Sequence, residues 1–298
     1  MSAPGAAPSP GRLRALGRFL EIQNLGLNLP FALAFLLLAA RGLPTVPVAV
    51  LVVVAFVAAR NAGHSFNRWA DRALDARNPR TRSRDLPAGR RSGPQALAIA
   101  AVSAAVLVAA AALLNPLSLA LAPVALAMIL GYSYTKRFTA LTTPFLGLVE
   151  AITPAAAYVA VRGALPLPVL LAVAAILAWG TAFETVHSLG DVESDRALGL
   201  KSLPVRLGVA RSSRLVPILH AVALGLLTIY GLWVDLRLPY FVALVAMAVI
   251  AGAGDRAFLR APTSARAPFR RHFLLAGLFL AGAIVALFVP LGPSLGLP

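Results

Sequence analysis

Residues 67–75 read NRWADRALD and residues 191–195 read DVESD. Asn67, Asp71 and Asp75 in the first stretch, and Asp191 and Asp195 in the second, recur at a spacing of four in a chain that otherwise avoids acids. Of eleven carboxylates in 298 residues, six (Asp71, Asp75, Asp85, Asp191, Glu193 and Asp195) fall in two short segments, each at the end of a long apolar run. Chance and solubility explain that placement poorly. At a spacing of four, side chains stack on one face of a helix, so each segment presents a column of oxygen ligands. Such columns suit a hard divalent cation. Mg²⁺ in particular is held by one or two carboxylates, several waters and the phosphate oxygens of a substrate.

The apolar runs around these segments set the fold class. With 59% apolar and 13% charged residues and a mean hydropathy of +0.81, the chain is too apolar for a soluble domain of its length. A membrane-spanning helix takes about 20 apolar residues. Nine stretches qualify, at 19–40, 46–66, 95–114, 117–134, 144–162, 166–187, 215–234, 238–254 and 273–291. The expected fold is therefore an all-α integral membrane protein, with about nine transmembrane helices in one bundle and a single domain over residues 1–298. Residues 1–16 hold no apolar core and read as a disordered N-terminal tail rather than a signal peptide.

A formal charge of +16 would suggest nucleic acid in a soluble protein. Here the charges follow topology instead. With the N-terminus inside, 24 of the 27 basic residues fall on the cytoplasmic side, leaving only Arg41, Arg162 and Arg237 outside. That asymmetry satisfies the positive-inside rule. It places both acidic segments at the cytoplasmic face and makes anionic lipids and anionic substrates, not nucleic acid, the partners of that face. Cysteine is absent, which excludes disulfides and thiolate metal sites. Richness in Ala, Arg, Gly and Pro fits a bacterial protein of the cell membrane. Oligomeric state is not readable from the sequence.

Arg60 lies two helical turns before Asn67, so one face carries Arg60, Asn67, Asp71 and Asp75. A cation beside a carboxylate column fits a ligand both metal-bound and strongly anionic, such as a diphosphate. The fourth run ends in GYSYTKRF, with Tyr132 and Lys136 again four apart. Twenty-five arginines against two lysines, Lys136 and Lys201, make those two positions notable, because a compact ammonium suits a phosphate oxygen. Arg77 to Arg91 read mostly as solvated, topology-setting charges, with Arg82 and Arg84 as lid contacts to a diphosphate.

Together, N-x3-D-x3-D after the second run, Y-x3-K closing the fourth and D-x3-D after the sixth resemble the UbiA superfamily of intramembrane prenyltransferases. NPRTRSRDLPAG and GLKSLPVRLG are similar to its 4-hydroxybenzoate polyprenyltransferase branch and menaquinone-pathway members. The resemblance implies a lateral-access cavity and Mg²⁺ held around an isoprenyl diphosphate by Asn67, Asp71, Asp75, Asp191 and Asp195. It implies catalytic roles for Asp71, Asp191, Lys136 and Tyr132, with diphosphate contacts from Arg60, Asn67, Arg68, Arg72, Lys136, Arg137 and Lys201. The implied reaction joins a polyprenyl group to a small aromatic acid in quinone biosynthesis. The sequence departs from the pattern at Arg68, where a second acid often follows the Asn, and at Asp85 in RDLP, where RPLP is usual. It departs again at Glu184 and His187, where D-x2-Y is usual. Those changes bear on the acceptor pocket, to which Glu184, His187 and Glu150 are assigned.

Glu150 sits in the middle of an apolar run, FLGLVEAITP, where an ionisable group is costly and usually functional. It either lines the cavity or pairs with a neighbouring helix. His64 and His187 read as packing residues, since Mg²⁺ takes oxygen ligands. Two rival functions remain open at this level. One keeps the fold with another acceptor: protoheme, a chlorophyllide, homogentisate, a glycerol phosphate or a phosphoribosyl donor. The other is a cation-coupled carrier, although carrier sites lie in broken helices near the midplane.

Overall fold

Inside hydrocarbon a backbone can satisfy its polar groups within one segment only as a helix, and the long apolar runs all fold that way. The computed structural model describes residues 11–262 and 266–289. In chain order the helices are α1 (Arg12–Phe19), α2 (Leu29–Ala40), α3 (Val46–Ala70), α4 (Arg72–Arg77), α5 (Gly93–Leu114), α6 (Pro116–Phe138) and α7 (Thr142–Glu150). They continue as α8 (Ile152–Arg162), α9 (Val169–Leu189), α10 (Val192–Ala197), α11 (Leu203–Leu207), α12 (Val209–Trp233), α13 (Leu238–Arg260) and α14 (Arg266–Phe288). Among the described residues, eight helices are long and apolar enough to cross a membrane, with α7 and α8 together making one.

Against the expected count of about nine, the first run is the one that falls short of a continuous helix. Residues 19–40 are broken: α1 ends at Phe19, Glu21 takes the left-handed region at φ 48°, and a 3-10 helix covers Ile22–Leu27 before α2. Helix α2, with 12 residues, is too short to cross alone. Asn24 donates to the Glu21 carboxylate at 2.9 Å, and Asn28 and Pro30 sit at the start of α2, a polar break that the summed hydropathy of the run hides. The expected tail is corrected: residues 12–16 belong to α1, while residues 1–10 lie outside the described ones. The fifth run breaks at Ala151. Pro154 has no N–H to give the Glu150 carbonyl four residues back, so the ladder is interrupted there.

Helix α9 is the axis of the bundle, packed on α12 and α7. Its buried face carries Ala172, Ala175 and Ala182, small residues that let helices approach closely. A Cβ at Gly147 would run into Thr181 and the Leu177 carbonyl. Phe31, Phe35, Trp179, Tyr230, Tyr240 and Phe279 fill the main core.

Both acidic segments share one local build. Helix α3 ends at Asp71 (φ −94°, ψ 0°), which opens α4, and α9 ends just before Asp191 (φ −111°, ψ 1°), which opens α10. At the first bend Asp71 N–H still donates to the Asn67 carbonyl at 2.9 Å, whereas at the second the bonds tighten to i−3, Gly190 to His187 at 3.1 Å and Asp191 to Ser188 at 3.2 Å. Each acid then opens the next helix, its carbonyl accepting from Asp75 N–H at 2.8 Å or Asp195 N–H at 2.7 Å.

At the opposite kind of junction, Asn115 serves two helices. Its Oδ1 accepts from Ser118 N–H at 2.8 Å to cap α6, while its Nδ2 donates to the Val159 and Ala160 carbonyls of α8 at 2.8 and 3.2 Å. Asn115→Ala is expected to cost about 1–2 kcal/mol, read as a lowered melting temperature in detergent; an unchanged melting temperature would refute the double cap.

Candidate active site

The first carboxylate, Asp71, is 2% exposed. Its Oδ2 accepts from Asn67 Nδ2 at 3.1 Å and from Lys136 Nζ at 2.6 Å. Its Oδ1 lies 3.7 Å from the Arg137 guanidinium and accepts no hydrogen bond among the described residues. Asp75 accepts from Arg84 Nη1 at 3.0 and 3.1 Å. Asp191 takes a forked pair from Arg80, Nε at 2.8 Å and Nη2 at 2.5 Å, and a third bond from Asn78 Nδ2 at 3.3 Å. The loop after α4 thus crosses from the first acidic segment to the second. Bidentate guanidinium pairing of this kind is both strong and directional.

Within the first segment Asn67 and Asp71 share a face and a hydrogen bond, while the returning loop brings Arg84 to Asp75. Among the described residues no three acidic or imidazole groups come together. The oxygens still fit Mg²⁺, which needs only one or two carboxylates from each side when a phosphate supplies the rest. Asp71 Oδ1, buried and without a donor, is the observation that favours it.

Asp195 is half-buried beside Asp191. Burial pushes its carboxyl above the usual range, and the Asp191 charge adds to the rise. The Arg80 guanidinium is shifted up, chiefly by its hydrogen bond to Asp191.

A cavity of about 630 Å³ runs beneath these groups between α3, α6, α7 and α8, with mostly apolar walls. Arg60, His64, Asn67, Tyr132, Glu150 and Asn28 are its polar points. Asn67 and Tyr132 lie at its charged end, one helical turn from Asp71 and Lys136 respectively.

The other expected contacts sort into two groups. Arg60 lines the cavity, with its guanidinium donating to the Leu20 and Glu21 carbonyls at 2.6 and 3.1 Å. Arg137 donates to the Ala70 carbonyl at 2.7 Å and lies over the Tyr134 ring at 4.9 Å, beside Asp71. Arg68, Arg72 and Lys201, by contrast, do not line the cavity. Arg68 is buried in an ion pair with Glu21; Arg72 donates to the Trp69 carbonyl and stacks on its ring at 5.0 Å. Lys201 Nζ donates to the Phe138 carbonyl at 3.1 Å, although its backbone N–H reaches the Lys136 carbonyl at 2.7 Å. Glu184 accepts from Ser188 Oγ through its backbone carbonyl at 2.8 Å and does not line the cavity, and His187 packs edge-on to Phe183 at 4.5 Å. Arg82 is exposed, while Arg80, not Arg82, makes the loop contact to the second segment. The Asn78-Pro-Arg80 turn was the only sequence signal for it.

Fold and site together define an integral-membrane protein whose apolar cavity ends at paired charges on two helix ends. The chain belongs to the UbiA prenyltransferase family, whose model matches residues 28–281, and is accordingly a prenyltransferase. It is 32% identical over 261 residues, 85% of this chain and 87% of the relative, to 4-hydroxybenzoate octaprenyltransferase of Cupriavidus metallidurans. An apo structure of a UbiA homolog from Aeropyrum pernix K1 superposes with a TM-score of 0.79 at 32% identity, covering 89% of this chain and 98% of that one. A UbiA homolog from Archaeoglobus fulgidus bound to GPP and Mg²⁺ shares the fold, with a TM-score of 0.69 at 19% identity over 92% of this chain and 99% of that one. Family membership sets the carrier reading aside.

Because the Asp195 carboxyl is raised in the fold, its ionised form is disfavoured there, a penalty present above the folded pKa and relieved as pH falls through it. Asp195→Asn is therefore expected to raise the melting temperature at neutral pH in metal-free buffer, with the gain shrinking toward acid pH. A loss of stability at neutral pH would count against this reading.

Proposed function

We propose that this chain transfers a polyprenyl group from an isoprenyl diphosphate to a small aromatic acid of the 4-hydroxybenzoate or naphthoate type, with Mg²⁺, on the route to a respiratory quinone. The observation that carries the reading is the meeting of two acidic helix ends with Lys136, Arg80 and Arg84 above an apolar cavity. The relative named for octaprenyl transfer to 4-hydroxybenzoate and the homolog bound to GPP and Mg²⁺ support the same donor and acceptor chemistry. The charge asymmetry puts the N-terminus and this end of the bundle at the cytoplasmic face of the bacterial cell membrane.

Breaking the allylic carbon–oxygen bond leaves negative charge on the diphosphate and positive charge on the prenyl chain. Asn67, Asp71 and Asp75 on one side, and Asp191 and Asp195 on the other, would hold Mg²⁺. Bound there, Mg²⁺ supplies charge neutralisation of the diphosphate oxygens. Lys136, Arg80, Arg84 and Arg137 lie where the leaving group's charge grows, and they are already fixed in direction by their carboxylate and carbonyl partners. In the ligand-free protein those cations keep the acids from standing as bare buried charges. Tyr132 offers its ring face to the allylic cation. The apolar wall takes the prenyl tail and keeps water from the cation, so that an electron-rich ring carbon of the acceptor forms the new bond and then loses its proton. Glu184 and His187, which the resemblance assigns to the acceptor, lie on α9 and are not among the residues that line the cavity.

The test is Mg²⁺-dependent transfer of a labelled prenyl group from geranyl or farnesyl diphosphate to 4-hydroxybenzoate in membranes carrying the protein. Asp191→Asn is the variant of choice, because Asp191 is less buried than Asp71 and its partner Arg80 is exposed. We expect turnover to fall by about 10²–10³-fold with the melting temperature retained. Transfer indifferent to chelation and to Asp191→Asn would overturn the proposal. Mg²⁺-dependent diphosphate release without prenylated benzoate would keep the donor chemistry and move the acceptor to a naphthoate or another ring.

A further inference from the structure

Glu150 ends α7 at the break before α8, inside the membrane-spanning part of the bundle, and lines the cavity. Its carboxylate sits in a prepared niche. Oε1 accepts from Asn28 Nδ2 at 3.2 Å, and a Cβ at Gly180 on α9 would collide with Oε2, so the glycine leaves the space the carboxylate occupies. Among the described residues Asn28 is the one side-chain donor to Glu150, and no cation pairs with it. An ionised carboxylate offers about four lone-pair directions, and a buried polar group left unfilled is costly. The niche therefore holds a carboxyl with unused capacity turned toward the space where substrates bind.

We infer that Glu150, oriented by Asn28, accepts a hydrogen bond from the hydroxyl of the aromatic acceptor, and so selects hydroxylated rings and sets their orientation. The inference rests on the prenyl-transfer reading above. The chemistry of the reactants leaves one complementary group. A prenyl chain has no hydrogen to donate, and neither an ionised diphosphate nor an acceptor's own carboxylate has one to give to Glu150. A ring hydroxyl is the remaining donor. Tyr132 lines the same cavity as Glu150 and lies one helical turn from Lys136, at the charged end where the allylic cation forms. An acceptor bound this way keeps its hydroxyl on the Glu150 side and its carboxylate turned away. Glu150 is thus a specificity-determining contact for the acceptor, apart from the donor's diphosphate site.

Glu150→Gln tests this with little risk to the fold, because it keeps the volume and leaves an oxygen for Asn28. In membranes, with labelled farnesyl diphosphate, the KM for 4-hydroxybenzoate is expected to rise roughly ten- to a hundredfold, while the KM for the diphosphate and the melting temperature stay near native. Asn28→Ala, which frees the carboxylate without removing it, is expected to move the acceptor KM in the same direction by less. 4-Methoxybenzoate, which cannot donate, should be a far poorer acceptor than 4-hydroxybenzoate for the native protein and nearly equal to it for Glu150→Gln. An unchanged acceptor KM in Glu150→Gln, or both KM values rising together, would overturn the inference and leave prenyl transfer standing. No transfer to any hydroxylated ring by the native protein would overturn both.

Discussion

A carboxylate at the end of an apolar membrane helix has to be paired, and the Asp71–Lys136 contact at 2.6 Å meets that requirement at the point where the two halves of the site join. It ties α3 to α6 across the top of the cavity and fixes the distance between Asn67 and Tyr132. The same demand is met at Asp75 by Arg84 and at Asp191 by Arg80, so a loop with little secondary structure is held down by the acids it covers. These pairs are not a large source of stability, since desolvation offsets much of the Coulomb gain. What they give is direction, with every charge of the site poised before a ligand arrives. An anionic ligand with its own cations can then replace each pair in kind, exchanging one neutral arrangement for another.

Much of this was legible from residues 67–75 and 191–195. Spacing of four fixed the relation of Asn67 to Asp71, because the helix carries its bonds through the bend, and the scarcity of lysine marked Lys136. The long runs gave their spans because hydrocarbon allows few alternatives to a helix. What failed did so for physical reasons. Residues 19–40 pass as a span on summed hydropathy, but Glu21, Asn24 and Asn28 are placed for local turns, and Glu21 has a partner in Arg68 far along the chain. The basic loop looked uniform, since six arginines from Arg77 to Arg91 carry no signal of which will fold back; Arg80 is distinguished only by the turn before it.

Polar groups away from the site illustrate the same limit. His220 Nδ1 lies 2.8 Å from Asp255, Arg271 approaches the same carboxylate at 3.4 Å, and Trp179 Nε1 donates to His272 Nε2 at 3.3 Å. These residues come from four helices, and nothing in their individual contexts announces the cluster. It locks α9, α12, α13 and α14 together through satisfied buried polar groups, which specify one packing more sharply than apolar contacts alone.

Two of the helices that carry the chemistry, α3 and α6, are also the least buried of the candidate spans. Only 11% of the apolar stretch is buried in α3 and in α6, against 61% in α9. Part of that unburied surface lines the cavity, and the outward-facing remainder is left for acyl chains to cover once the bundle is in a bilayer. Foldedness resides in the α9 core, whereas catalytic competence depends on a surface that the lipid completes. A detergent micelle that preserves the first can relax the second, so the bilayer acts as a structural component of the enzyme rather than as its container.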